Sequence, residues 1–432
     1  MIASVKRFIA KKKSCSCSMP GVWRAAAYCK GAVVIFHSPQ ACTNIVNNME
    51  INSLYRNAAL SDDAFFKVPV PLISSQLKEK NAIFGGNEKL ADCIDFVVKQ
   101  YTPDCIVIAN SCVAGIIGDD VDAAGRKAEE EYNLPVITVN CCGFLDGEYY
   151  QGYIETAEKL VKKFFKKQKD SLPKTALLLG DNGGPAGSYV REVTRLLNAL
   201  GVCIVGQFPG YMPINEMQEA AKAEAVIVLG SVQQAQAGLA QLAKMLAENF
   251  GMKYIPSVYP IGSKKTKQWL ADMGRLFNCA EKAAELADRE EKNLLCATAE
   301  FCLKTAQKST VLFIGRLTVY FDPGQVIEIV NKLRMHLRGI VMLDVYEEKE
   351  RKKMENLLKK YTDATIYNGE YPNKLLENVQ VILTTHELKN CRVKQIFLPM
   401  LPKAGTSGEI GFMQIIYQTL CSRSHKGGIV YV

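Results

Sequence analysis

The chain has 432 residues, 48% hydrophobic and 22% charged, with a formal net charge of +9. That length exceeds what one core supports and implies two or three domains, with apolar material enough for several buried sheets. No run approaches the roughly 18 unbroken apolar residues of a membrane span. The basic start, Met1 to Lys13, has no apolar signal core and no small-residue cleavage site, so a cytoplasmic protein without a membrane partner is expected. The positive charge gathers in helix-like lysine runs, Lys162–Lys169 and Lys349–Lys360. No nucleic-acid motif accompanies them, which points to a solvated face or an acidic protein partner instead.

Strand-like and helix-like segments alternate. Ala32–Phe36, Cys105–Ala109 and Val136–Val139 are short apolar runs, and helical periodicity runs from about Asn87 to Tyr101 and from about Asp120 to Tyr132. Continuous apolar strands separated by helices predict a parallel sheet covered on both faces. A charged, proline-ended stretch from Lys162 to Pro173 closes this unit. The pattern restarts with Thr175–Leu179, a helix through Leu200, Val202–Val205, Ala225–Leu229 and a long helix to about Phe250. A helical stretch from Lys264 to Lys308 leads to a third restart: Thr310–Ile314, a helix near Gly324–Leu337, Ile340–Leu343 and Val379–Leu383. The expected fold is α/β, with three Rossmann-like domains at 1–165, 166–308 and 309–432, each a mostly parallel sheet flanked by helices.

Fifteen cysteines in a reducing compartment imply metal, catalysis or burial rather than disulfides. Cys93, Cys105, Cys203, Cys279, Cys296, Cys302 and Cys391 lie in apolar or helical stretches, where a thiol serves as a small hydrophobe. Cys15, Cys29, Cys141, Cys142 and Cys421 stay open. Three others stand apart: Cys17 in Cys17-Ser-Met-Pro-Gly21, Cys42 closing His37-Ser-Pro-Gln-Ala-Cys42, and Cys112 opening Cys112-Val-Ala-Gly-Ile-Ile-Gly-Asp-Asp120. Each is expected where a buried strand gives way to a glycine-containing loop, and thiolates from several such loops are how a protein grips an iron–sulfur cluster. Gly21, Gly31 and Gly115 would let backbone approach it. Asp119 or Asp120 would cap a helix, and His37 reads either as a donor toward the cluster or as a satisfied structural histidine. The loop Gly180–Gly187 lacks the Lys-Ser/Thr of a nucleotide-binding loop and reads as a strand-to-helix crossover, so ATP hydrolysis is not expected of this chain.

Together these segments resemble the nitrogenase component 1 family. That family includes the molybdenum–iron protein subunits, the light-independent protochlorophyllide and chlorophyllide reductases and the nickel-sirohydrochlorin reductive cyclase. The resemblance is carried by Cys17 four residues before Gly21, by His37–Cys42, by Ile83-Phe-Gly-Gly86, by Cys112-x-x-x-x-Ile-Gly-Asp-Asp120 and by Val139-Asn-Cys-Cys-Gly-Phe144. It is strong over about residues 15–150 and topological beyond.

The resemblance implies that Cys17, Cys42 and Cys112 hold an iron–sulfur cluster, 4Fe–4S or larger and P-cluster-like, where a homologous subunit (self or paralogue) meets this one. A fourth ligand would come from that partner, from Cys15 or Cys29, or from extra bridging. It also implies a separate ATP-dependent iron–sulfur reductase, and an oxidoreductase role relaying low-potential electrons to an unidentified substrate. A second cofactor or tetrapyrrole is left open, as are proton donors, among which His386, Cys141 and Cys142 are candidates. A metallocofactor assembly scaffold of the same fold and a non-catalytic β-type partner are the alternatives. The family's α-type subunits hold a molybdenum cofactor through a cysteine in the second domain and a histidine near the C-terminus. Gly230-Ser-Val-Gln-Gln-Ala235 and Leu398-Pro-Met-Leu-Pro-Lys-Ala-Gly405 offer neither, so a cofactor held in that way is not expected. Gly405, Gly408 and Gly411 read as a turn lining an inter-domain cavity.

Overall fold

The computed structural model describes residues 2–4, 8–9, 17–48, 69–141, 149–168, 170–180, 187–230, 233–315, 322–345, 348–389, 391–398, 403–422 and 429–431. Two short strands come first, β1 (Ile2–Ser4) and β2 (Phe8–Ile9). Helix α1 (Met19–Ala26) begins just after Cys17, with Pro20 in its first turn, where a missing N–H costs nothing. It leads to β3 (Ala32–His37), and the chain then turns into α2 (residues 40–48). Next come β4 (Leu72–Ser74), α3 (Asn81–Phe84), α4 (Asn87–Tyr101), β5 (Cys105–Asn110), α5 (Cys112–Ile117), α6 (Val121–Tyr132), β6 (Val136–Asn140) and α7 (Tyr149–Phe164). The four strands from β3 to β6 form an all-parallel sheet in the order β4-β3-β5-β6. Every residue of central β3 and β5 is buried, because helices cover both faces. That is why both read as unbroken apolar runs.

Leu90, Ile94 and Val97 of α4 cover one face, and α1 and α7 cover the other. The backbones of α1 and α7 touch: a β-carbon on Gly21 would sit 1.8 Å from the Tyr149 carbonyl oxygen. Gly21 therefore serves helix packing rather than a cluster. Gly31 (φ +94°) lies at the amino end of β3, where a β-carbon would strike Asp104 at 2.2 Å, so it shapes a turn at the opposite edge of the sheet from Cys42.

The second sheet is built from β7 (Leu172–Leu179), α8 (Ser188–Leu200), β8 (Cys203–Phe208), α9 (Met217–Ala220), β9 (Ala223–Val228), α10 (Gln233–Phe250) and α11 (Ser263–Leu276). Its parallel strands run β8-β7-β9. Alternate residues face opposite ways: Leu177 and Leu179 join Trp23, Tyr153 and Leu160 in one core, while Ala176 and Leu178 face Leu196, Leu200 and Leu270. A single hydrophobic core thus continues from the first sheet onto the second.

Helix α12 (Ala280–Thr305) follows α11 after a break at Asn278 (φ 52°), so the predicted stretch from Lys264 to Lys308 is two helices. Its first half buries Leu286 with the second sheet and its second half buries Leu294 and Phe301 with the third. The third sheet comprises β10 (Ser309–Ile314), β11 (His336–Met342), β13 (Ile366–Asn368), β15 (Val381–Thr384), β16 (Lys394–Phe397) and β17 (Ile429–Tyr431). Helices α13 (Pro323–Lys332), α14 (Glu348–Leu358) and α15 (Gly405–Cys421) accompany them, with short strands β12 (Asp344–Val345) and β14 (Glu370–Pro372). All six main strands are parallel, in the order β13-β11-β10-β15-β16-β17. β1 pairs with β14 and β2 with β12, so the start of the chain adds to the third unit before the chain reaches Cys17 in the first. Among the described residues no helix is long and apolar enough to cross a membrane.

The segment from Gly405 to Gly411 is the start of α15, not a turn. Gly405 (φ +74°) donates its N–H to the Pro260 carbonyl at 2.7 Å, and a β-carbon there would sit 2.3 Å from Glu192. The Arg195 guanidinium bonds Glu192 (Nη2 to Oε1, 2.7 Å) and Glu290 (2.8 Å), and the Thr406 hydroxyl donates to Glu290. Both carboxylates are buried, and one half-exposed cation serves the two. Replacing Arg195 with Met leaves them without a counter-charge. The expected loss in urea unfolding of the full chain is about 2–3 kcal/mol, below the roughly 3–5 of a fully buried pair because the guanidinium is half in solvent.

Candidate functional site

Cys42 and Cys112 follow the carboxyl ends of the neighbouring strands β3 and β5. The structure sets all three cysteines in or beside helices rather than glycine loops: Cys42 inside α2, Cys112 as the first residue of α5, Cys17 two residues before α1. Helices start at once because Ser111 caps α5, its hydroxyl accepting the Ala114 N–H at 3.2 Å. All three thiols are half-buried. Burial pushes the Cys17 thiol up; the Met19 N–H works against this, and charge on Cys112 and Cys42 adds to it. Burial and then charge on Cys112 push up Cys42, opposed by the Ser38 hydroxyl. Segments 25 and 70 residues apart are therefore close enough to sense each other's charge.

Among the described residues no three His, Cys, Asp or Glu side chains converge on a point where one ion would sit. A single tetrahedral ion needs its sulfurs about 2.3 Å away. A multi-iron cluster spreads its thiolates over separate corners and suits this donor set better.

A buried clamp holds the two strand ends in place. His37 Nδ1 lies 2.9 Å from Ser75 Oγ and Nε2 lies 2.9 Å from Asp119 Oδ2, while the Gly86 N–H donates to Asp119 Oδ1 at 2.7 Å. The contact has ion-pair geometry, yet burial pulls the imidazole below its ordinary pKa despite the carboxylate beside it. With both side chains out of water, the neutral ring is the consistent state. Ser75 Oγ accepts the Ser38 N–H (3.3 Å) and donates to Nδ1, and Nε2–H donates to the carboxylate. His37 is thus a satisfied structural histidine. Asp120, not Asp119, caps α6, accepting the Ala123 N–H at 2.9 Å. Gly86 has no room for a side chain, since a β-carbon would meet Asp119 and Leu77 at 2.5 Å each.

Buried polar atoms without a hydrogen-bond partner gather on the three cysteine-bearing segments: Trp23 Nε1 on α1, Thr43 Oγ1 beside Cys42, and Asn110 Oδ1 two residues before Cys112. Thr310 Oγ1 is another, away in the third sheet. Buried polar groups are nearly always paired, and these are exceptions. The rim is apolar and exposed: Ile45 (60%), Ile83 (78%), Phe84 (85%) and Ile116 (80%). Ile45 lies three residues after Cys42 and Ile116 four after Cys112, on the same helix faces as the thiols.

Other sequence-derived candidates fall elsewhere. Cys15 and Cys142 lie outside the described residues, as does the Gly-rich segment 181–186. Cys29 is buried at the amino end of β3, and its charge bears on buried Cys105 at the amino end of β5. A strand's length separates it from Cys42, which removes it as a fourth ligand. Cys141 is buried at the end of β6, its N–H donating to the Asn110 carbonyl at 2.8 Å. Cys203 and Cys296 are exposed rather than packed, the first at the open start of edge strand β8 and the second on the solvent face of α12. His386 follows β15 and sits 2.9 Å from Thr385 Oγ1, which accepts the Gly315 N–H at 2.7 Å. The roles of Ser75, Thr43 and Asn110 have no signal in the sequence; Gly86 and Asp119 lie in quoted motifs, but their partnership does not show there.

A family model described as nitrogenase component 1 type oxidoreductase matches residues 17–413, and the chain belongs to that family. It is 29% identical over 304 residues to the nitrogenase iron-molybdenum cofactor biosynthesis protein NifE of Clostridium pasteurianum, covering 68% of this chain and 63% of that one. It is 24% identical over 291 residues to the nitrogenase molybdenum-iron protein alpha chain of Methanosarcina barkeri, covering 66% of this chain and 52% of that one. The matches thus span less than two thirds of these relatives' own length. Among solved structures, nitrogenase Cp1 at pH 6.5 superposes with a TM-score of 0.64 at 17% identity, over 98% of this chain and 92% of that chain, which shows the fold.

The clamp has a pH signature. His37's folded pKa lies below its unfolded value near 6.5, so the unfolded chain binds the proton more readily. Its contribution is present above about pH 6.5 and is lost as pH falls through the lowered value. Asp119→Asn turns one acceptor of two N–H groups into a donor. It is expected to cost about 1.5–3 kcal/mol at pH 7.5, read by urea unfolding, and to steepen the acid loss of stability between pH 7 and 5, because the carboxylate is what holds the ring's pKa up against burial.

Proposed function

We propose that Cys17, Cys42 and Cys112 hold an iron–sulfur cluster, 4Fe–4S or larger, and that the chain is a component 1-like oxidoreductase subunit relaying low-potential electrons. The observation that carries the reading is that three half-buried thiols from distant segments lie close enough to sense each other's charge, with orphaned buried polar atoms on each of those segments. When bound, the group supplies one-electron transfer. The protein's own part is to give up the thiol protons, a loss that burial resists at Cys17 and Cys42, to hold Cys42 and Cys112 in register through the His37–Asp119 clamp, and to shield the edge from water. Because ligation requires thiolates, loading releases protons and strengthens as pH rises.

The apolar rim supports a homologous subunit, self or paralogue, closing over the thiols and completing the ligand set. An ATP-dependent iron–sulfur reductase would then supply electrons to this soluble-type assembly. The exposed lysines Lys162, Lys163, Lys166 and Lys167 suit an acidic docking face, although Lys163 already pairs with Glu129. The working division of the chain is 1–165, 166–308 and 309–432, with substrate or second cofactor between the units.

The NifE relatives support a second reading, an assembly scaffold that carries a cofactor precursor without turnover. Both readings need the cluster site, and electron paramagnetic resonance with and without a reductase and ATP separates them. A signal that cycles with nucleotide supports the relay; a static one supports the scaffold.

Anaerobically purified protein is expected to carry iron and acid-labile sulfide. Replacing Cys17, Cys42 or Cys112 with Ala should each remove most of it, while Cys93→Ala should not. Full iron content in the triple variant would defeat the assignment. Phe84→Asp combined with Ile116→Glu should yield a monomer by light scattering with an unchanged circular dichroism spectrum, since exposed positions contribute little to the fold. An unaltered oligomer would place the subunit contact elsewhere.

A further inference from the structure

We propose that Thr43 and Asn110 are hydrogen-bond donors to sulfur in the group held by Cys42 and Cys112, and that they set its reduction potential. This rests on the cluster reading above and assigns chain residues that reading does not use. Thr43 is 5% exposed and Asn110 is 4% exposed. His37 and Asn110 are register partners at the ends of β3 and β5, so the chain leaves a common sheet edge toward Thr43 and Cys112.

Inside a helix, a threonine hydroxyl ordinarily donates to the carbonyl four residues back. For Thr43 that is the Pro39 carbonyl. It already accepts the Cys42 N–H at 3.1 Å, and the Ser38 hydroxyl, which can turn to Cys42 instead, lies 3.0 Å from it. Thr43 Oγ1 does not take that outlet and has no hydrogen-bond partner. Asn110 Nδ2 donates to Asn140 Oδ1 at 3.2 Å and leaves its own Oδ1 without one. Turning both amides by a half-rotation keeps that bond with donor and acceptor exchanged, and sets an Asn110 N–H where the orphaned oxygen stood. Each cysteine-bearing helix entry then has one buried donor aimed at no protein acceptor. A buried donor without an acceptor destabilises the empty fold. Donation to sulfur offsets that loss and favours the more negative, reduced state, which raises the potential.

If the two side chains were only structural, apolar isosteres would be better in every state. Thr43→Val, Asn110→Leu and the hydroxyl-retaining control Thr43→Ser separate the cases. In iron-free protein, Thr43→Val should raise the melting temperature because the orphan is gone. In anaerobically reconstituted protein, redox titration followed by electron paramagnetic resonance should show its midpoint moving negative by about 59 mV, a tenfold change for one electron. Asn110→Leu should move the same way, and Thr43→Ser should stay at the wild-type value. Iron lost from Thr43→Val but kept by Thr43→Ser also supports the proposal, since the loss follows the hydroxyl. Normal iron content with an unchanged midpoint in both Thr43→Val and Asn110→Leu overturns it while leaving the cluster reading standing. Wild-type protein that takes up no iron removes the cluster reading itself, and the donors with it.

Discussion

The carboxyl edge of the first sheet hangs on one buried pair, His37 with Asp119. His37 is the last residue of β3, and Asp119 follows the helix that Cys112 opens. Their contact ties the end of one central strand to the helix leaving the next, and the Gly86 N–H brings in the start of α4. The pair works as a neutral imidazole donating to a carboxylate that also accepts a backbone N–H. That arrangement keeps one charge, rather than two, in a place where hydration is gone. With this joint made, Cys42 and Cys112 must lie beside each other whatever the intervening sequence does.

Most of the described structure obeys the ordinary economy of a packed protein. Buried carboxylates are matched: Glu409 accepts from the Ser263 N–H at 2.8 Å and pairs with Lys332, and Glu290 with Arg195. The edge around the three cysteines departs from it in three ways at once. The Cys17 and Cys42 thiols are held where burial disfavours their charge, buried polar atoms lack partners, and the rim exposes large apolar side chains. Each departure costs free energy in the isolated chain, and the proposed cluster and partner subunit would relieve each of them. Local rules tend to fail together at functional sites, which is the sense in which these failures locate one.

The three sheets are coupled by more than linkers. One core runs from the first sheet onto the second, and α12 divides its buried face between the second and third. The pairing of β1 and β2 with strands of the third unit adds a chain-length constraint. The eight steps from Ile9 to Cys17 span at most about 28 Å, so Cys17 stays within that reach of β12.

Much of this was written into the chain. Unbroken apolar runs such as Cys105–Ala109 identified buried parallel strands, because a strand covered on both faces has no polar side to show. Three restarts of that pattern gave three sheets, and the setting of Cys17, Cys42 and Cys112 marked them out from twelve other cysteines. What the sequence could not decide were matters of direction and distance. Gly21 and Gly31 read as room for a cluster, yet one lets two helices touch and the other turns the chain at the far edge. Cys203 reads as core from its apolar neighbours and is exposed, because it is the first residue of an edge strand whose burial deepens only toward Phe208. Asp119 and Asp120 are adjacent and chemically alike, and only the approach of the turn after α5 to the end of β3 assigned one to a histidine and the other to a helix cap. Periodicity is a one-dimensional property and survives in the sequence, whereas a partnership between residues 37 and 119 exists only once β3 and β5 have paired.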